Sequence, residues 1–185
     1  RDSYILSTKW WGNDRGARVD DAAEALTVSV EASLRRLGTD YVDIMMFHGP
    51  LPAQYDQVVE RYYPEMERLR ERGMVRFIGL SVPFAKDPRH ETAVLALTSH
   101  PELWDTVMLK YGILNQWAAR EALPLAQKTG AGVMNMAAVR IKLPDPAKLE
   151  ELIADWKQRE LIDRDSVPDK KPLDWLIHDG VTSVV

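Results

Sequence analysis

Three side chains able to do acid–base or hydrogen-bond chemistry stand at matching places in this chain: Lys9, His48 and Ser81. Each follows a short apolar run that reads as a β-strand, and each precedes a loop. If those strands run parallel, the three converge on the C-terminal edge of one sheet, where α/β proteins place reactive groups. A lysine and a histidine sharing a partly dry pocket tune each other's charge and can polarise a bound carbonyl. Singly, each has an ordinary explanation: a surface charge for Lys9, a structural ring before Gly49-Pro50 for His48, a turn hydroxyl for Ser81. Their common position makes them candidates. Trp11, two residues past Lys9, either walls the same pocket or simply packs.

The elements that must hold these residues are legible from hydrophobic spacing. Leu26, Val30, Leu34 and Leu37 recur at helical intervals, Arg35 and Arg36 suit the negative end of the helix dipole, and Gly38 suits a left-handed cap. Residues 41–47 are almost continuously apolar, as in a strand covered on both faces. Further strands are expected over residues 4–8, 75–80, 104–109 and 132–136, so their starts recur about every 30 to 37 residues. Helices are expected over 54–72, kinked or split by Pro64, and over 90–98 and 118–128. That rhythm is a train of βα units and therefore a parallel sheet. Beyond Arg140 it stops: a polar helix over 145–156 carries Leu149, Leu152, Ile153 and Trp156 on one side, a charged connection fills 157–172, and a helix starts at 173–177. Residues 181–185 read equally as a sixth strand or as the run-in to a helix. His90, His100 and His178 sit among charges and prolines and read as surface residues.

Composition narrows the function classes. The 185 residues are 45% hydrophobic and 28% charged, with net charge −4 and no Lys/Arg-rich block. A nucleic-acid stripe is not expected, and the six tryptophans show no basic interleaving. The absence of cysteine excludes disulfides, thiolate zinc sites and cysteine nucleophiles, and fits a reducing, cytoplasmic setting. No apolar run approaches the roughly 20 residues of a membrane span. No metal-ligand spacing, Gly-rich phosphate loop or Gly-x-Ser-x-Gly elbow is present. Both ends look cut inside structure, which suggests a piece of a longer chain.

Four segments together resemble the aldo-keto reductases: Ser7-Thr8-Lys9, then Glu31-Ala-Ser-Leu34-Arg-Arg-Leu37-Gly38-Thr-Asp40-Tyr41-Val-Asp43, then His48, then Gly73-Met-Val-Arg76-Phe-Ile-Gly79-Leu-Ser81. The resemblance runs over about residues 4–139. It implies an α/β fold, a (β/α)8 TIM barrel present as an incomplete parallel barrel, from its third to about its seventh strand. Residues 1–185 would then be one partial domain, with regular βα units over 1–140 and an irregular helical region over 141–185. It also implies hydride transfer between NADPH or NADH and a small-molecule carbonyl or sugar-like alcohol. By motif, Lys9 looks like the family's catalytic lysine and His48 like the histidine that orients the carbonyl oxygen. Ser81 matches a serine that holds the nicotinamide carboxamide, Trp11 a substrate-pocket aromatic, and Met136 the residue that stacks on the nicotinamide.

The departures from the family pattern bear on activity. No Asp-Thr-Ala…Tyr-Gly pattern supplies the proton-donor tyrosine and its aspartate. Val82 and Met108 stand where asparagine and glutamine are common, and the Gly-x-Arg signature of the last strand is missing. The stretch alone is therefore expected not to turn over. Two other readings stay open: a non-catalytic binding or regulatory subunit of the same family, and a different barrel enzyme whose lysine forms a Schiff base.

Overall fold

The computed structural model describes residues 3–10, 23–112, 115–137, 145–162, 181 and 183–184. Six strands form one sheet in sequence order, every neighbour parallel: β1 (Ser7–Trp10), β2 (Val42–His48), β3 (Val75–Ser81), β4 (Thr106–Leu109), β5 (Gly132–Asn135) and β6 (Ser183–Val184). Residues 183–184 thus settle the open reading of the C-terminal segment as a strand. The first strand starts three residues later than expected, and His48 and Ser81 are the last residues of their strands rather than the first of the loops.

The connections are helical: α1 (Glu24–Leu37), α2 (Tyr55–Gln57), α3 (Tyr63–Glu71), α4 (Glu91–Ser99), α5 (Ala122–Thr129) and α6 (Pro146–Gln158). In α1 the expected face is buried at Leu26, Val30 and Leu34, while Leu37 lies in the last turn, 47% exposed. Gly38, at φ 64°, ends the helix by donating its N–H to the Arg35 and Leu34 carbonyls. The interruption expected at Pro64 is a π turn, Val58–Tyr62, between α2 and α3, with Pro64 in the first turn of α3. No helix among the described residues is long and apolar enough to cross a membrane.

Strand alternation divides the sheet into two faces. The row Trp10, Phe47, Leu80, Val107 and Val133 is buried and joins Leu26, Val30, Tyr62, Leu69 and Leu97 in the core between sheet and helices. Aromatic contacts knit this side. Trp10 lies 5.0 Å from Tyr62 and 6.0 Å from Phe47, and Trp104 lies 6.0 Å from Phe47 and 5.6 Å from Tyr63, centroid to centroid. The opposite face carries Lys9, Met46, Gly79, Thr106 and Gly132 in one row. Two carboxylates near the strand starts tie neighbours together. Asp43 accepts from the Leu6 N–H at 2.8 Å and from Arg76 at 2.9 Å; Asp105 accepts from the Ile78 N–H at 2.8 Å.

Two histidines read as surface residues are not. His90 is fully buried, adopts the left-handed region at φ 60°, and donates from Nε2 to the Lys110 carbonyl at 2.8 Å. Its Nδ1 is buried without a partner, and burial lowers its pKa. A left-handed residue other than glycine costs about 1–2 kcal/mol, so the surroundings must hold it there. His100 is half-buried against Tyr55, whose hydroxyl accepts from Trp104 Nε1 at 3.2 Å and lies 3.2 Å from His100 Nδ1. Residues 163–180, which include His178, lie outside the described residues.

Gly79 sets how closely β2, β3 and β4 pack on the open face. A Cβ there would meet Thr106 Cγ2 at 2.6 Å, Met46 Cγ at 3.0 Å and the Thr106 carbonyl at 3.0 Å. Because one of these is backbone, the crowding cannot be relieved by a side-chain shift alone, and Gly79→Ala should cost about 1–3 kcal/mol. The check is a urea melt of the intact protein: the midpoint falls with the slope unchanged.

Candidate active site

The C-terminal ends of the strands assemble a second row on the open face: His48, Ser81, Met108 and Met134. Lys9 belongs to the row below it, level with Met46, so it stands on the strand beside His48 and one inward-facing position lower. Lys9, His48 and Ser81, singled out by sequence position, therefore share one face and one end of the sheet. Trp11 lies outside the described residues. Met136 follows β5 half-buried, its N–H donating to the Leu109 carbonyl at 2.9 Å.

The electrostatics agree with a poised pair. Both side chains reach solvent, yet the packed sheet around them strips enough water to lower the pKa of Lys9. Burial, followed by the nearby Lys9 charge, also lowers His48 below the ordinary imidazole value of 6.5. The neutral form of His48 is therefore favoured at pH 7. Ser81 is only 1% exposed, its hydroxyl-bearing side chain seated at the strand end beside His48 and Met108. Its carbonyl accepts from the Gly49 N–H at 2.6 Å, which draws the loop after His48 against the end of β3.

The wall beside Ser81 is thioether-rich. Met46 and Met108 are buried and Met134 is half-buried on the same face. Val82 is buried in the helix-side core, where it cannot address the site. Two polar side chains that sequence reading passed over steady this floor. Asn135, fully buried at the end of β5, accepts from the Tyr111 N–H and donates to the Tyr111 carbonyl, both at 2.8 Å. His90 holds the carbonyl of Lys110, the preceding residue. The available signals were an asparagine ending an apolar strand and an Asp87-x-x-His90 lead into a helix.

The model of the Aldo/keto reductase family matches residues 1–159. The chain belongs to the aldo-keto reductase family. Among its relatives is an L-galactose dehydrogenase from Arabidopsis thaliana, 37% identical over 81 residues, 44% of this chain and 25% of that protein. Another is the methylglyoxal reductase DkgA of Yersinia pestis, 30% identical over 147 residues, 76% of this chain and 49% of that protein. The holo form of the aldo-keto reductase AKR11C1 from Bacillus halodurans shares the fold over 100% of this chain and 62% of its own length, with TM-score 0.68 at 24% identity. The chain thus spans between a quarter and about half of these curated relatives. The sheet is an incomplete version of the aldo-keto reductase barrel, and the strand ends that bear Lys9, His48 and Ser81 are its C-terminal rim.

The coupling between Lys9 and His48 has a definite sign. A positive Lys9 disfavours a second charge on His48, so Lys9→Met should raise the His48 pKa, though burial keeps it below 6.5. Imidazole NMR titration of the intact protein reads this directly. An unchanged pKa would mean that Lys9 exerts no field on the ring.

Proposed function

We propose that the protein is an NAD(P)-dependent aldo-keto reductase moving hydride between NADPH or NADH and a carbonyl or sugar-like alcohol. The observation that carries this reading is one rim holding a cation at Lys9, an imidazole at His48 whose neutral form is favoured and a buried hydroxyl at Ser81. The hydroxyl fits a carboxamide and would hold it by one hydrogen bond. Met108 and Met134 add apolar contact there rather than amide donors, and Met136 would lie against the ring. When bound, the cofactor supplies the hydride.

The residues of this chain do the remaining work. His48 donates a hydrogen bond to the carbonyl oxygen, orienting it and supporting the negative charge that grows there. Because the ring is neutral, it does so without offering a full proton. The Lys9 ammonium adds a positive field at the same rim and would hold the pKa of an adjacent phenol down. Trp11, the residue after β1, would wall the substrate side. Residues 1–185 carry no recognised acid to complete this set, so the stretch alone is expected to be inactive. Loss of such a group typically removes ~10²–10⁴-fold.

Titration of the intact protein with NADPH and with NADH, followed by quenching of tryptophan fluorescence, tests the reading. Saturable quenching is expected. Ser81→Ala should weaken binding roughly three- to tenfold by removing one hydrogen bond. Lys9→Met should cut turnover by about 10²-fold or more. A folded, complete chain that shows no quenching would overturn the proposal.

A further inference from the structure

The loops after β3 and β4 carry cations that have no carboxylate partner among the described residues. Arg89 precedes α4 and Arg120 precedes α5. Their guanidinium carbons lie 4.9 and 4.1 Å from the centroid of one indole, Trp117, which places the two charges within about 9 Å of each other. Lys110, just past the end of β4, has its ammonium 4.9 Å from the Phe84 ring. The tryptophans have no basic interleaving in sequence; the fold supplies it by bringing Arg89 across to Trp117.

Salt screens the repulsion between two exposed charges at this spacing, and an anion held between them would gain from both. Elsewhere Arg68, Arg70, Arg72 and Arg76 each have a carboxylate within 3.2 Å. Among the described residues, no carboxylate pairs with Arg89, Lys110 or Arg120. The acid nearest in sequence to Arg89 on its N-terminal side is already engaged: Asp87 accepts from the N–H groups of Glu91 and Thr92 at 2.8 and 2.9 Å. A guanidinium seated on a ring uses its face, which leaves its N–H edge for another partner.

The loops that carry Arg89 and Lys110 are also held together against strain. His90, next to Arg89, sits in the left-handed region with a buried, unpartnered Nδ1, and its Nε2 grips the Lys110 carbonyl. One strained residue thus fixes the loop of Arg89 to the loop of Lys110.

We infer that this rim, with Arg89 and Arg120 around Trp117, binds the phosphoryl group of a small molecule at a place separate from the nicotinamide. Two donor forks, with no acceptor between them, match a multi-oxygen anion. β3 and β4, the strands that lead into these loops, pair Ser81 with Met108 at their ends, so the anion site borders the reductase rim. Its cations would attract the anion whether or not that rim is catalytic.

The test is a titration of the intact protein with inorganic phosphate, ionic strength held constant with chloride, following tryptophan fluorescence with Trp117→Phe to assign the signal. Saturable binding is expected, and the exposed pair Arg89→Ala with Arg120→Ala should weaken it at least about tenfold. Arg68→Ala should leave it unchanged, and so should saturation with NADPH. A response equal to that of chloride, or one that survives the double substitution in a protein with an unaltered melting midpoint, overturns the site. Displacement of phosphate by NADPH would overturn its separateness and assign the rim to the cofactor.

Discussion

The strand register is the constraint on which everything else depends. Side chains alternate between faces with a period of two, so a slip of one residue would turn His48 and Ser81 into the helix layer. Several features forbid the slip together. The row from Trp10 to Val133 is large and apolar and fits only against helices, whereas Gly79 fits only where Thr106 and Met46 close over it. Asp43 and Asp105 add ties outside the ladder, each binding a backbone N–H next to or within another strand at 2.8 Å. Chemistry at the rim is thus a consequence of packing and pairing some distance below it.

Much of this order was legible because buried parallel strands must be apolar runs and their crossovers must be amphipathic. The failures have physical reasons. Tyr4 and Ile5 read as strand but are exposed, Ile5 at 76%, because β1 pairs only from Ser7 onward. An apolar side chain marks a strand only if a neighbour exists to cover it. His90 read as surface because its local sequence is polar. Its burial comes from the end of β4, twenty residues on, which no local pattern encodes.

The candidate site divides along the same line. Lys9, His48 and Ser81 could be found because a strand end is a position that sequence can count to. That Lys9 and His48 would tune each other's charge was also legible; that desolvation outweighs the Lys9 charge in lowering His48 was not. Asn135 was hidden for a related reason: its two partners are backbone atoms of Tyr111, and backbone carries no residue identity. The methionines at 108 and 134 were visible as letters, but only pairing shows that they adjoin Ser81 and make the wall beside it soft and apolar.

The π turn at Val58–Tyr62 has a consequence for how this chain tolerates changes in length. An i→i+5 turn advances each residue through less than the roughly 100° of an α-helix, so successive side chains stay nearer one face. Tyr62 and Tyr63 are adjacent and both buried, one against Trp10 and the other against Trp104. The wide turn works as a spare residue stored in the helix. Removing it would let the coil tighten, but would swing Tyr55 and the upstream turn away from Trp104 by about a quarter turn relative to α3. Insertions and deletions here act as rotations, and the aromatic partners of the sheet decide which angle is kept.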